Sequence, residues 1–166
     1  MKQLFWVPML AAAFCAAGCH MDEGAMRDNL TGAWHGKVQF TSGAYAGFKD
    51  VEFMYDFNAG GTMTESSNYD ASPPGPPAYG VWQKVGARQF EARYEFFLTK
   101  APASFDDIAN GGGWAPDVHG ILTEKITLTA DGDSFDSTIK YELFDAQGTP
   151  IAGGGEGTCY AKRIKL

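Results

Sequence analysis

Between Arg88 and Leu98 the chain alternates without a break. Phe90, Ala92, Tyr94 and Phe96 fall on one side, and Gln89, Glu91, Arg93 and Glu95 on the other. A repeat of two places successive side chains on opposite faces of an extended strand, whereas a helix would scatter this set around its axis. The same rhythm recurs elsewhere. Val51, Phe53, Tyr55 and Phe57 alternate with Glu52, Met54 and Asp56. Leu122, Glu124, Ile126 and Leu128 share a face, as do Phe135, Ser137, Ile139, Tyr141 and Leu143. Strands with one apolar and one polar face belong to antiparallel sheets that bury a single side.

The segments between these runs are turn chemistry. Asn58-Ala59-Gly60-Gly61, Gly86-Ala87, Ala130-Asp131-Gly132-Asp133 and Asp145-Ala146-Gln147-Gly148 each supply residues that tolerate tight reversals. Ser72-Pro73-Pro74-Gly75-Pro76-Pro77 cannot lie in a central strand, because proline has no amide hydrogen for the ladder. The pattern predicts eight strands: 34–42, 51–57, 62–68, 78–85, 88–98, 119–129, 134–144 and 156–164. Aromatic residues at 14% and 21 glycines suit short half-buried strands joined by sharp turns. The expected fold is all-β, an eight-stranded antiparallel up-and-down barrel, since closure satisfies every edge. A two-sheet sandwich is the competing arrangement.

Residues 99–118 interrupt the rhythm. Ser104 to Ala109 reads as one helical turn capped by Ser104, and Asn110 to Gly113 as irregular chain. Connections of this length in compact domains are commonly lids or binding loops. Phe105, Ile108 and Trp114 give it apolar side chains with which to cover something, so a lid between the fifth and sixth strands is expected.

Residues 1–18 read as a targeting segment: Lys2, then an apolar run from Leu4 to Phe14 that is too short to span a bilayer as a helix. Ala16-Ala17-Gly18-Cys19 resembles the bacterial lipobox, with Ala16 where leucine is usual. That resemblance implies lipidation of Cys19, a tether over 19–29, and a barrel domain over 30–166. His20 rather than aspartate after the cysteine implies the outer membrane, facing the periplasm or the surface. An ordinary signal peptide cut near Gly18 is the alternative. Without residues 1–18 the domain keeps one thiol, Cys159, and can form no disulfide within itself.

Gly32-x-Trp34 at the first strand and Arg163 on the last resemble the calycin (lipocalin-like) barrels. The resemblance implies that Gly32, Trp34 and Arg163 close one end, the guanidinium lying over the indole with a cation–π contribution of roughly 0.5–2 kcal/mol. Phe57-Asn58-Ala59-Gly60-Gly61-Thr62, Pro77-Ala78-Tyr79-Gly80-Val81-Trp82, 128–135 and Gly157-Thr158-x-x-Ala161-x-Arg163-Ile164 are similar to secreted bacterial and fungal lipocalin-like proteins of unknown role. Residues 99–118 are longer than the simple hairpin expected of that group. No active-site motif of the related allene oxide cyclase-like barrels is matched.

A formal charge of −7 disfavours nucleic acid. His35, His119 and Cys159 show no clustered ligand spacing, and Asp131-Gly132-Asp133 is hairpin chemistry without a twelve-residue calcium loop. No metal or cofactor is therefore expected. No Gly-x-Ser-x-Gly or phosphate-loop motif is present, so no residue is assigned a catalytic role. A barrel of eight strands is either packed solid or holds one small ligand. Phe53, Tyr55, Tyr94, Phe96, Phe135 and Tyr141 are the inward aromatics expected to line such a ligand. The expected function is a lipid-anchored envelope barrel binding a small hydrophobic molecule. The alternatives are a barrel-type isomerase or cyclase of a hydrophobic substrate, and a filled barrel serving as an envelope interaction module. Protein partners are not indicated by any motif.

Overall fold

The structure is a computed structural model that describes residues 28–70, 75–113 and 115–166. Cys19, the targeting segment, most of the tether and Trp114 lie outside the described residues. Eight strands run in chain order: β1 Gly32–Phe40, β2 Val51–Phe57, β3 Thr62–Ser67, β4 Ala78–Gly86, β5 Gln89–Lys100, β6 Ala115–Leu128, β7 Ser134–Asp145 and β8 Pro150–Arg163. Each pairs antiparallel with the next, and β8 returns to β1, closing an up-and-down barrel. This architecture is compatible with a calycin-like fold.

The inward positions follow from the period of two. β2 buries Val51, Phe53, Tyr55 and Phe57, and β7 buries Phe135, Ser137, Ile139, Tyr141 and Leu143. Glycine makes room for the largest of these rings. A Cβ at Gly36 would come within 2.6 Å of the Cys159 sulfur and 3.2 Å of the Tyr55 ring.

One end of the barrel is plugged. Trp34 is fully buried there and packs 5.0 Å, centroid to centroid, from Phe135. Its indole N–H donates to the Leu30 carbonyl at 2.8 Å. Arg163 lies opposite Trp34 in the β1–β8 register, with its guanidinium carbon 4.1 Å from the indole centroid. The same guanidinium donates to the carbonyls of Gly132 (3.0 Å), Thr31 (2.7 Å) and Asn29 (2.7 Å). One side chain thus ties the incoming chain to the β6–β7 turn. Gly32 stands beside it at φ +125°, and a Cβ there would meet the guanidinium at 3.1 Å. Both the backbone conformation and the approach require glycine. The tight turns β2–β3, β4–β5 and β6–β7 also lie at this end.

The opposite end carries the longer β1–β2, β3–β4 and β5–β6 connections and the short β7–β8 turn. Two boundaries differ from the sequence expectation here. β5 runs on to Lys100 and β6 starts at Ala115, so both ends of 99–118 are paired strand that extends past the rim. Its residues do not alternate because neither face meets the core beyond the rim: Phe97, Leu98, Lys100 and 115–117 are all exposed. β8 likewise begins at Pro150 rather than at 156. The hairpin tip holds a five-residue helix, α1 Phe105–Ala109, with a capping box between Ser104 and Asp107. It buries none of its residues. Phe105 is 80% and Ile108 48% exposed, so neither makes the covering contact expected of a lid.

If the Trp34–Arg163 cluster closes the barrel, Trp34→Ala lowers stability by roughly 3–5 kcal/mol. Arg163→Lys keeps the charge but loses the planar fork that spans three carbonyls, at a cost of about 1–3 kcal/mol. Urea unfolding measures both, and unchanged midpoints would remove the closure role.

Candidate functional site

The barrel interior divides into two regions of different chemistry. The half next to Trp34 is solid. The half toward the long loops opens into a pocket of about 270 Å³. Inward residues form its floor: Phe40, Val51, Phe53, Ala78 and Leu122, with Phe96 half-buried at the side. Its walls come from the loops, with Tyr45 and Phe48 from 41–50, Tyr69 and Asp70 from the start of 68–77, and Gly75 and Pro76 from its end. Phe97, Leu98 and Thr99 enter from the base of the projecting hairpin.

Aromatic stacking holds this mouth. Tyr141 stacks on Tyr45 at 4.9 Å, Tyr45 meets Phe48 at 5.4 Å, and Phe48 stacks on Tyr69 at 4.8 Å. Backbone polar groups fix the row. The Tyr141 hydroxyl donates to the Ser42 carbonyl at 3.1 Å and accepts from the Tyr45 amide at 3.0 Å. The Tyr69 hydroxyl donates to the Lys49 carbonyl at 2.7 Å. Asn68 bridges the two loops, donating to the Asp50 carbonyl and accepting from the Glu52 amide. Partial burial and the neighbouring Tyr141 raise the Tyr45 phenol to about 12, so it stays neutral.

Two carboxyl groups lie inside. Glu65, on β3 between Tyr55 of β2 and Ala78 of β4, lines the pocket and is 5% exposed. Its Oε1 is buried without a hydrogen-bond partner among the described residues. Burial, then the like charges of Asp70 and Glu124, hold its carboxyl well above the usual range. Glu124, on β6, is fully enclosed deeper in the barrel. The Tyr94 hydroxyl donates to its Oε2 at 3.0 Å, the Tyr55 hydroxyl donates to its Oε1 at 3.4 Å, and Ser137 donates to that same oxygen. Burial raises Glu124 to about 7, against the pull of these three donors. The Cys159 sulfur lies 3.6 Å from the Tyr55 hydroxyl. Burial and Glu124 push that thiol up, so it is not a nucleophile at neutral pH.

The six aromatics expected to line a ligand fall into three groups. Phe53 and Phe96 line the pocket. Tyr55 and Tyr94 lie beneath it and spend their hydroxyls on Glu124. Phe135 packs against Trp34 in the solid half, and Tyr141 braces the rim. Glu65 and Glu124 carried no expected role. Glu124 already shared an inward face with Leu122, Ile126 and Leu128, and a carboxyl on such a face was the available signal. Glu65 was hidden because Thr62–Ser67 is polar on both faces. Only its hairpin register, Phe57 opposite Met63, turns Met63 and Glu65 inward. His35 and His119 pair with Glu52 and Glu95 on the outer surface, away from the lumen. Asp131 accepts from Thr129 and from the Asp133 amide within its own hairpin turn.

The fold and site define a closed antiparallel barrel with a small aromatic pocket at one mouth and acid groups within. No protein-family model matches the chain, and no curated protein matches it.

The buried carboxyls set the pH dependence of folding. Between about 4.5, the ordinary value, and about 7, Glu124 is protonated when folded and ionised when unfolded. Folding then takes up a proton, so this stability is full below 4.5 and is lost as pH rises to 7. The stability advantage of wild type over Glu124→Gln falls by about 3 kcal/mol across that window. Urea unfolding of both proteins at pH 4.5 and 7.5 measures it, and a constant difference would contradict the burial of an ionisable Glu124. Cys159 should also resist alkylation until the barrel unfolds, which a timed iodoacetamide reaction followed by mass spectrometry reads directly.

Proposed function

We propose that this protein is a small-molecule-binding barrel of the calycin type, with its ligand in the mouth pocket and not along the whole lumen. The observation that carries the proposal is the 270 Å³ pocket itself, concave and aromatic, floored by inward strand residues and walled by loops locked to one another. Ligand sites are usually concave and apolar with a few polar groups for orientation, and Glu65 and Asp70 supply those groups here. The volume suits a compact molecule; cavities of about 150 Å³ already admit benzene. The Gly32, Trp34 and Arg163 cluster supports the calycin reading, because it does at one end what that resemblance implies.

The lipobox-like Ala16-Ala17-Gly18-Cys19 supports a lipid anchor on Cys19 and an outer-membrane address. Incorporation of labelled palmitate that Cys19→Ser abolishes would establish the anchor.

A second reading has one observation in its favour. Glu65 is a pocket carboxyl that burial holds well above the usual carboxylate range, and perturbed carboxyls in clefts are candidates for general acids or bases. A barrel-type isomerase or cyclase would use it, and Glu65→Gln would then abolish turnover while leaving binding intact.

A neutral, environment-sensitive naphthalene dye tests the binding role. Saturable one-to-one fluorescence enhancement is expected, weakened at least tenfold by Ala78→Leu, which fills the pocket floor. Absence of saturable binding to the folded protein would overturn it.

A further inference from the structure

We propose that the mouth pocket is selective for small amines: an apolar body seated among the aromatic rings, with its ammonium docked on Glu65. The inference rests on reading the mouth as a ligand pocket and names the class of molecule it takes.

The first argument is the orphaned oxygen. Glu65 is 5% exposed, faces the pocket, and keeps Oε1 without a donor. A buried polar atom left unpaired costs free energy, and few are tolerated in folded proteins. Glu124, one layer deeper, shows the contrast, with three hydroxyl donors on its carboxyl. The barrel supplies donors for the carboxyl it encloses and none for the Oε1 of the carboxyl that faces the cavity. Oε1 is itself sealed, so a ligand that brings a donor completes Glu65 once the carboxyl turns toward the cavity; a hydrocarbon leaves it as it stands.

The second argument is the sign of the charge. Among the described residues, the ionisable pocket side chains other than tyrosine are both acids, Glu65 and Asp70, and the lining contains no lysine, arginine or histidine. The titratable groups around Glu65 carry the same implication. They are Tyr55 on β2, Asp70 after β3, Tyr94 on β5, Glu124 on β6 and Cys159 on β8. None of them is basic. A fatty acid or other carboxylate would be desolvated with no cation in the lining to offset that cost. An ammonium meets the opposite situation. As it docks, the proton that burial retains on Glu65 leaves for solvent, and an ion pair replaces a neutral acid.

The third argument is the wall. Phe40, Tyr45, Phe53 and Phe96 surround the cavity with aromatic surface. Ring faces attract cations, and such aromatic enclosures are a general solution for ammonium groups. Tyr45, raised to about 12, contributes a neutral phenol and not a competing anion. The aromatic wall, the unpaired Glu65 oxygen and a lining whose charged side chains are acids agree on an organic cation.

Three probes of nearly equal size separate the possibilities: 2-phenylethylamine, 2-phenylethanol and 3-phenylpropanoate, titrated by calorimetry at pH 7. The amine is expected to bind at least tenfold more tightly than the alcohol, and the carboxylate more weakly than either. In Glu65→Gln, the amine should lose at least tenfold while the alcohol changes less than threefold. Dye binding and circular dichroism verify that the variant is folded. The wild-type series stands without the variant. Equal affinities, or a preference for the carboxylate, overturn amine selectivity. If the naphthalene dye binds and the amine does not, amine selectivity falls and the pocket remains. If neither binds, both fall together.

Discussion

The barrel depends on one guanidinium. Arg163 covers the Trp34 ring and holds three carbonyls, two from the chain entering β1 and one from the β6–β7 turn. Closing a sheet brings its first and last strands together, and this cluster sits at that seam. The remaining geometry follows. With one end sealed by Trp34, Phe135 and Leu30, the interior there is close-packed. Among the described residues the interior opens toward the long loops, where the rings line a pocket instead of filling it. Closure and cavity are therefore two results of one asymmetric distribution of side-chain volume.

The fold was legible because both faces of most strands report their surroundings. Phe90, Ala92, Tyr94 and Phe96 against Gln89, Glu91, Arg93 and Glu95 leave one plausible arrangement. Legibility failed where that contrast is absent. The hairpin between Leu98 and Val118 pairs beyond the rim with water on both sides, so hydrogen bonding continues after the hydrophobic signal has stopped. Thr62–Ser67 fails for a different reason. Met63 is its one apolar residue, too little to show a face, and its inward set is fixed by the partner strand.

The candidate site was half legible on the same grounds. Aromatic residues at inward positions point to an aromatic lumen, yet alternation gives depth no coordinate. Phe53 and Phe135 have equal claims by periodicity; one lines the pocket and the other seals the far end. Depth comes from the stagger of the strands, and stagger is fixed by pairing. Tyr55 and Tyr94 show a related limit. Their rings point inward as the pattern requires, but their hydroxyls serve Glu124, on the neighbour of β5 and across the barrel from β2. Polar networks inside a barrel are assembled from residues far apart in the chain, and no local window contains one.

Both described ends of the chain lie at the sealed end. Asn29 and Thr31 hang from Arg163, and Arg163 is followed by only three residues. Lys84, beside the β4–β5 turn, also donates to the Asp28 carbonyl. The entry and exit of the chain are thus separated from the pocket by the length of the barrel. Substitutions at Asn29, Thr31 or Arg163 therefore act at the pole away from the mouth. The barrel has a built-in polarity, with the closure cluster at one pole and the aromatic pocket at the other.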